Sequence, residues 1–136
     1  MQRVKVLLFV TLFLCSGASY SQGGGLSLNE LKKYTSILGG YGMEEKCRFG
    51  EDDRFSDFRL SLQAIGKSFV IRGVDQEYIR KLIQDSKKVA NVTPYSKCGE
   101  EAKRVVAMSY NSSWAWANEI ITNKQDTHNK NNLNQK

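Results

Sequence analysis

Residues 55–69 read Phe55-Ser56-Asp57-Phe58-Arg59-Leu60-Ser61-Leu62-Gln63-Ala64-Ile65-Gly66-Lys67-Ser68-Phe69. Phe55, Phe58, Leu62, Ile65 and Phe69 follow one another at steps of 3, 4, 3 and 4 residues. That spacing lines five large apolar side chains along one stripe of an α-helix. A strand would need period-two alternation, and no segment of the chain sustains it. Glu51, Asp52 and Asp53 precede the stripe and suit the positive end of a helix dipole. The helix ends at Gly66 or runs on to Gly73.

The flanking segments repeat the pattern. Upstream, Ser27 and Glu30 form a capping box, and Leu26 and Leu31 occupy the positions of a hydrophobic staple. Leu28, Leu31, Tyr34 and Leu38 recur at helical spacing, and Gly39-Gly40 reads as the end of this first helix. Tyr41 to Gly50 is then a turn or irregular stretch that holds Cys47. Downstream, Asp75 caps a third helix, with Val74 and Ile79 as its staple and Ile79, Leu82, Ile83, Ser86 and Ala90 on one face. Val92-Thr93-Pro94 stops it. Ser96 caps a fourth helix with Cys98 in its first turn. Ala102, Val105, Val106, Ser109 and Tyr110 face inward, and Trp114, Ala117, Ile120 and Ile121 resume the pattern after a kink near Ser112. The fold class is all-α, a small bundle of about four helices with short loops.

The two ends of the chain differ from its middle. Met1 to Lys5 carries Arg3 and Lys5, Val6 to Cys15 is almost wholly apolar, and Ser16 to Ser21 is rich in small residues. This is the pattern of a cleaved signal peptide over residues 1–21. The apolar run is about half the ~20 residues that a membrane span needs. Leu14 before Cys15 argues against lipidation. Residues 22–26 read as a flexible leader, 27–122 as the helical domain, and 123–136 as a disordered polar tail rich in Asn, Lys and Gln. The expected location is periplasmic or secreted, with no transmembrane span in the mature chain.

Export gives the cysteines a meaning. Cys15 leaves with the signal, and Cys47 and Cys98 remain to form one disulfide in an oxidising compartment.

Several chemistries lose their usual residues. The only histidine of the 136 residues, His128, lies in the polar tail. The commonest general base and zinc ligand is thus missing from the folded part, and the paired cysteines offer no thiolate. Gly66-Lys67-Ser68 shares its letters with a phosphate-binding loop, but Ser61 stands where that pattern needs glycine. Glu51, Asp52, Asp53 and Asp57 lack the alternation and central glycine of a calcium loop. No catalytic residue, metal or cofactor is expected, and the chain reads as a non-enzyme. Asn91 and Asn111 fit the glycosylation acceptor pattern, the first spoiled by Pro94.

Charge narrows the partners. The net charge is +6, and removing Arg3 and Lys5 with the leader lowers it to +4. This is too little for nucleic-acid binding. The pairs Lys32-Lys33, Arg80-Lys81, Lys87-Lys88 and Lys103-Arg104 read as solvated helix faces. Trp114 and Trp116 point about 200° apart on one helix, so one belongs to the core and the other is a candidate aromatic anchor in an interface. The expected function is binding another protein in the envelope or outside the cell, as an inhibitor, immunity factor, chaperone or accessory component of a secretion system. The alternatives are a small carboxylate-dependent hydrolase of envelope glycans and a carrier of a small apolar ligand.

Overall fold

The structure, a computed structural model, describes residues 25–135. The expected signal peptide, residues 1–21, lies outside the described residues. Among the described residues there are four α-helices: α1 (Leu28–Cys47), α2 (Asp52–Ile71), α3 (Gln76–Lys87) and α4 (Glu100–Leu133). Two 3-10 turns, Lys88–Asn91 and Tyr95–Lys97, join α3 to α4. Among the described residues no segment is a strand.

Helix α1 is the hub. Its N-terminus carries the expected capping box: the Glu30 amide donates to Ser27 Oγ at 3.2 Å, and the Ser27 amide donates to Glu30 Oε2 at 2.9 Å. These bonds satisfy two backbone donors that a helix start otherwise leaves unpaired. Leu26, expected in the flexible leader, packs against the core instead.

The aromatic core sets the helix directions. Tyr34 meets Phe69 and Trp116 edge-on, at centroid distances of 5.1 and 6.4 Å. Tyr41 meets Phe55 and Phe58 at 5.5 and 5.2 Å. Phe58 also reaches Tyr110 at 5.8 Å, and Phe69 reaches Trp116 at 5.6 Å. Helix α1 therefore runs antiparallel to both α2 and α4, which are parallel to each other. Tyr41 and Phe55 are stacked and the other pairs are edge-to-face, and both arrangements add to the area term of burial.

The first helix is longer than its glycines suggest. Gly39-Gly40 does not end α1, which continues to Cys47. These glycines are points of close approach: a Cβ on Gly39 would lie 2.9 Å from Val89 Cγ1, and one on Gly42 would lie 2.8 Å from the Lys87 carbonyl. The bonus of packing at these contacts outweighs the roughly 1 kcal/mol that each helical glycine costs. Cys47 is thus the last helical residue rather than part of a loop, and Arg48 turns the chain with φ +53°.

Helix α2 matches the expected stripe and passes through Gly66 to Ile71, burying Phe58, Leu62, Ile65 and Phe69. Asp75 caps α3 through the amides of Glu77 and Tyr78, at 2.7 and 3.3 Å. The staple residues Val74 and Ile79 are both buried.

The fourth helix departs from expectation at both ends. Ser96 does not cap it. Tyr95–Lys97 closes a 3-10 turn, Cys98 takes φ +53°, and the helix starts after Gly99. Cys98 therefore precedes the first turn instead of lying in it. Helix α4 runs on through Ser112 as one continuous helix. The Ser113 hydroxyl donates to the Tyr110 carbonyl at 2.8 Å, a bond made along the helix and not against it. Residues 123–133, expected to be disordered, continue α4 to Leu133 with every side chain exposed. Adding a turn to an existing helix needs no new nucleus, so a polar stretch can extend it without tertiary contacts. Cys47 and Cys98 form the expected disulfide, Cα to Cα 5.4 Å, and tie the end of α1 to the start of α4.

Candidate functional site

Helices α2 and α4 both lie against α1, and α3 lies against another of its faces. Helices α2 and α3 scarcely touch each other. The gap between them is a groove of about 650 Å³. Its floor is the α1 stripe Tyr34, Leu38 and Tyr41. One wall is α2, from Arg59 to Val70, and the other is α3, from Gln76 to Ile83.

Residue type decides what this groove can hold. Leu62, Ile79 and Ile83 make its inner surface apolar, and Val70 stands 38% exposed at its lip. Gly66 lies over the floor: a Cβ there would be 3.0 Å from Tyr34 Oη and 3.7 Å from Ile79 Cγ2. Arg59, Gln63 and Lys67, at steps of four residues, line the α2 rim, with Arg80 on the opposite rim. Among the described residues no Asp or Glu lines the groove.

Both tyrosines of the floor are perturbed by their surroundings. Tyr34 is 1% exposed, and burial raises its hydroxyl to a pKa of about 12. Burial also raises Tyr41, Glu45 adds to the effect, and Lys87, Arg59 and Arg48 oppose it. The Tyr41 end of the groove thus faces three cations and one carboxylate. Of these, Lys87 is paired with Glu45 at 2.8 Å; separately, Arg80 on the α3 rim is paired with Glu77 at 2.9 Å. Arg59 and Lys67 enter no ion pair among the described residues.

The two tryptophans separate as their spacing demands. The ring of Trp116 packs on Tyr34 and Phe69, with the Lys33 ammonium 4.6 Å from its centroid. Trp114 is 55% exposed. The structure does not bring the two together on one surface, and neither lines the groove.

One buried carboxylate lies apart from the groove. Glu44 is 2% exposed, and its Oε1 accepts the Gly50 amide at 2.9 Å. Its Oε2 is buried with no hydrogen-bond partner among the described residues. Glu51, Asp52, Asp53 and Asp57 are exposed around the start of α2. Among the described residues no group of three or more His, Cys, Asp and Glu side chains is placed to hold a metal ion.

The groove residues escaped the sequence reading. Arg59, Gln63 and Lys67 form a regular i, i+4, i+8 row beside the apolar stripe of α2, which is the only trace the groove leaves in the sequence. Comparison of the chain with protein-family models, with curated proteins and with solved structures finds no match.

Proposed function

We propose that this chain is an exported protein-binding module and that the α2/α3 groove is its docking surface. The observation that carries the reading is the groove's α2 rim, where Val70 is 38% exposed and the two cations Arg59 and Lys67 enter no ion pair among the described residues. A surface of that kind gains from covering its exposed apolar rim and from meeting complementary charge. The basic and apolar leader at residues 1–15 supports export, and so does the Cys47–Cys98 disulfide, a bond that persists in oxidising compartments. No helix among the described residues is long and apolar enough to cross a membrane. The partner is another protein of the envelope or the extracellular space.

The test places a photoreactive amino acid at Gln63 on the groove rim, and separately at Trp114 on the far helix, in the native cells. A discrete crosslinked species from position 63, lost when Arg59→Glu and Lys67→Glu are introduced together, is the expected result. Crosslinking from position 114 alone, or from neither position, overturns the reading and returns attention to the α4 surface in the first case.

A further inference from the structure

We infer that α4 pairs in parallel with the α4 of a second copy of this chain, through a seven-residue repeat on the face that it turns away from the bundle. The repeat shares no residue with the α2/α3 groove, so it stands or falls apart from the docking reading. Composition is the first argument. Charged residues make up 25% of the chain, yet the 19 residues from Val105 to Asn123 hold one, Glu119. Burial does not account for this, because Met108, Trp114 and Ile121 are 65%, 55% and 48% exposed. The solvent face of a helix ordinarily carries charge, and loss of charge with Trp and Met in its place marks the core of an interface. The bundle occupies the other sides of α4. Ser109 and Trp116 meet α1, and Tyr110 meets Phe58 of α2.

Register is the second argument, and it selects the occupant. Ala107, Trp114, Ile121 and His128 recur at steps of seven. Asn111, Asn118, Gln125 and Asn132 recur at the same step, each four residues further on. From Asn111 to Asn132 every member of both rows is exposed. A strict seven-residue repeat drifts only about 20° per repeat on a straight helix, so the rows form one seam, about 38 Å long, that fits another helix of the same period. The amide row favours an identical helix. Each amide both donates and accepts, so like amides at one level of two parallel helices satisfy each other. Asparagine at such a seam position fixes register and oligomer state, at a cost in stability. Beside the seam only Lys124 is charged, and in a parallel pair it faces Asn129 of the second copy, so no like charges meet. The end of α4 is the third argument. Residues 123–133 leave the bundle with every side chain exposed and are rich in Asn, a weak helix former, yet both rows run on through them in phase. A second helix alongside supplies the packing on which most helices depend.

Sedimentation velocity of the full chain as its own cells produce it, from low micromolar to millimolar concentration, provides the test. Monomer should give way to dimer and to nothing larger. Helical circular dichroism should rise in step, as the free end of α4 gains a neighbour. The amide row keeps the seam weak, so the dilute chain is monomeric. Trp114→Glu with Ile121→Glu sets like charges face to face on the seam. The pair should weaken association about tenfold or more and leave the circular dichroism of the dilute chain unchanged. Leu60→Glu, at a site on α2 that is 54% exposed, should leave association as in the wild type. An equal loss from Leu60→Glu means general stickiness and overturns the proposal. A monomer across the whole range, or a Trp114→Glu, Ile121→Glu variant that dimerises like the wild type, overturns it too. A photoreactive amino acid at position 111 should join two copies through their residues near 111. Joining to residues 125–132 overturns the parallel register.

Discussion

Gly40 of α1 and Ser109 of α4 lie in such close contact that a Cβ atom at position 40 would overlap the serine side chain. The same Cβ would also come within 3.3 Å of the Val105 carbonyl. Helix propensity alone would favour alanine here by about 1 kcal/mol. Overpacking opposes it by about 1–3 kcal/mol, because the obstacle includes backbone and cannot simply swing away. Gly40→Ala should therefore lower stability in urea titration, and Ser109→Gly should recover part of the loss. A double-mutant cycle with no coupling between the two positions would show that the helices separate to admit the methyl group.

The same contact explains what the sequence conceals. The stripe Phe55, Phe58, Leu62, Ile65 and Phe69 and the caps at Ser27 and Asp75 depend on neighbours within one helix, so their spacing reveals them. Whether Gly39-Gly40 ends a helix or admits a second helix depends on what lies opposite, and Ser109 is 69 residues away in sequence. The groove is legible least of all. Periodicity marks which face of α2 is apolar, but it does not say that α3 scarcely touches α2 and leaves Val70 at the edge of a groove. Cys47 and Cys98 were legible by elimination, whereas the local geometry around them was not. Cys98 turns the chain before α4 begins, so Ser96 has no helix start to cap.

The disulfide closes a loop of 51 residues between α1 and α4. Replacing both cysteines with serine should lower stability by ~2–5 kcal/mol. Thiol titration of the unfolded, unreduced wild-type protein should find neither Cys47 nor Cys98 reactive. Two reactive thiols from these positions would contradict the pairing.

The tryptophans should differ in the same assay. Trp116→Ala removes a ring that contacts both Tyr34 and Phe69, and it should lower stability by about 3 kcal/mol. Trp114→Ala removes an exposed ring and should shift the thermal midpoint little. Equal losses at the two positions would mean that the face of α4 bearing Trp114 is covered in solution.

Tyr34 makes stability depend on alkaline pH. Its pKa is about 12 in the folded protein, against about 10 for an exposed phenol. The folded state therefore binds the phenolic proton more tightly than the unfolded state does. The stabilisation is complete below pH 10 or so and is lost as pH rises toward 12. Tyr34→Phe should flatten the stability curve between those values. Absorbance titrations of folded wild type and variant should differ by one phenol that ionises well above pH 10, with Tyr41, also raised by burial, ionising late in both. An unchanged titration in the variant would place the late-ionising group elsewhere.

Glu44 tests whether a buried charge is needed. One oxygen accepts the Gly50 amide, which helps fix the turn between α1 and α2, and the other is buried without a partner. A buried carboxylate gives up water and regains only one hydrogen bond here, so its charge is a net cost unless something nearby compensates. Arg54 is one cation close by, since both its Cδ and Glu44 Oε1 lie within 3.4 Å of a Cβ placed on Gly50. Its guanidinium, however, stacks 4.6 Å from the Tyr110 ring centroid instead of pairing with the acid. Glu44→Gln keeps an acceptor for Gly50 and removes the charge, so it should match or exceed wild-type stability near neutral pH. Glu44→Leu also removes the charge but leaves the Gly50 amide unpaired, and it should lose about 1–3 kcal/mol. The difference between the two variants measures the hydrogen bond, and the difference between Gln and wild type measures the charge. If Gln falls as far as Leu in urea titration, the ionised carboxylate is required and the second oxygen has a partner in solution.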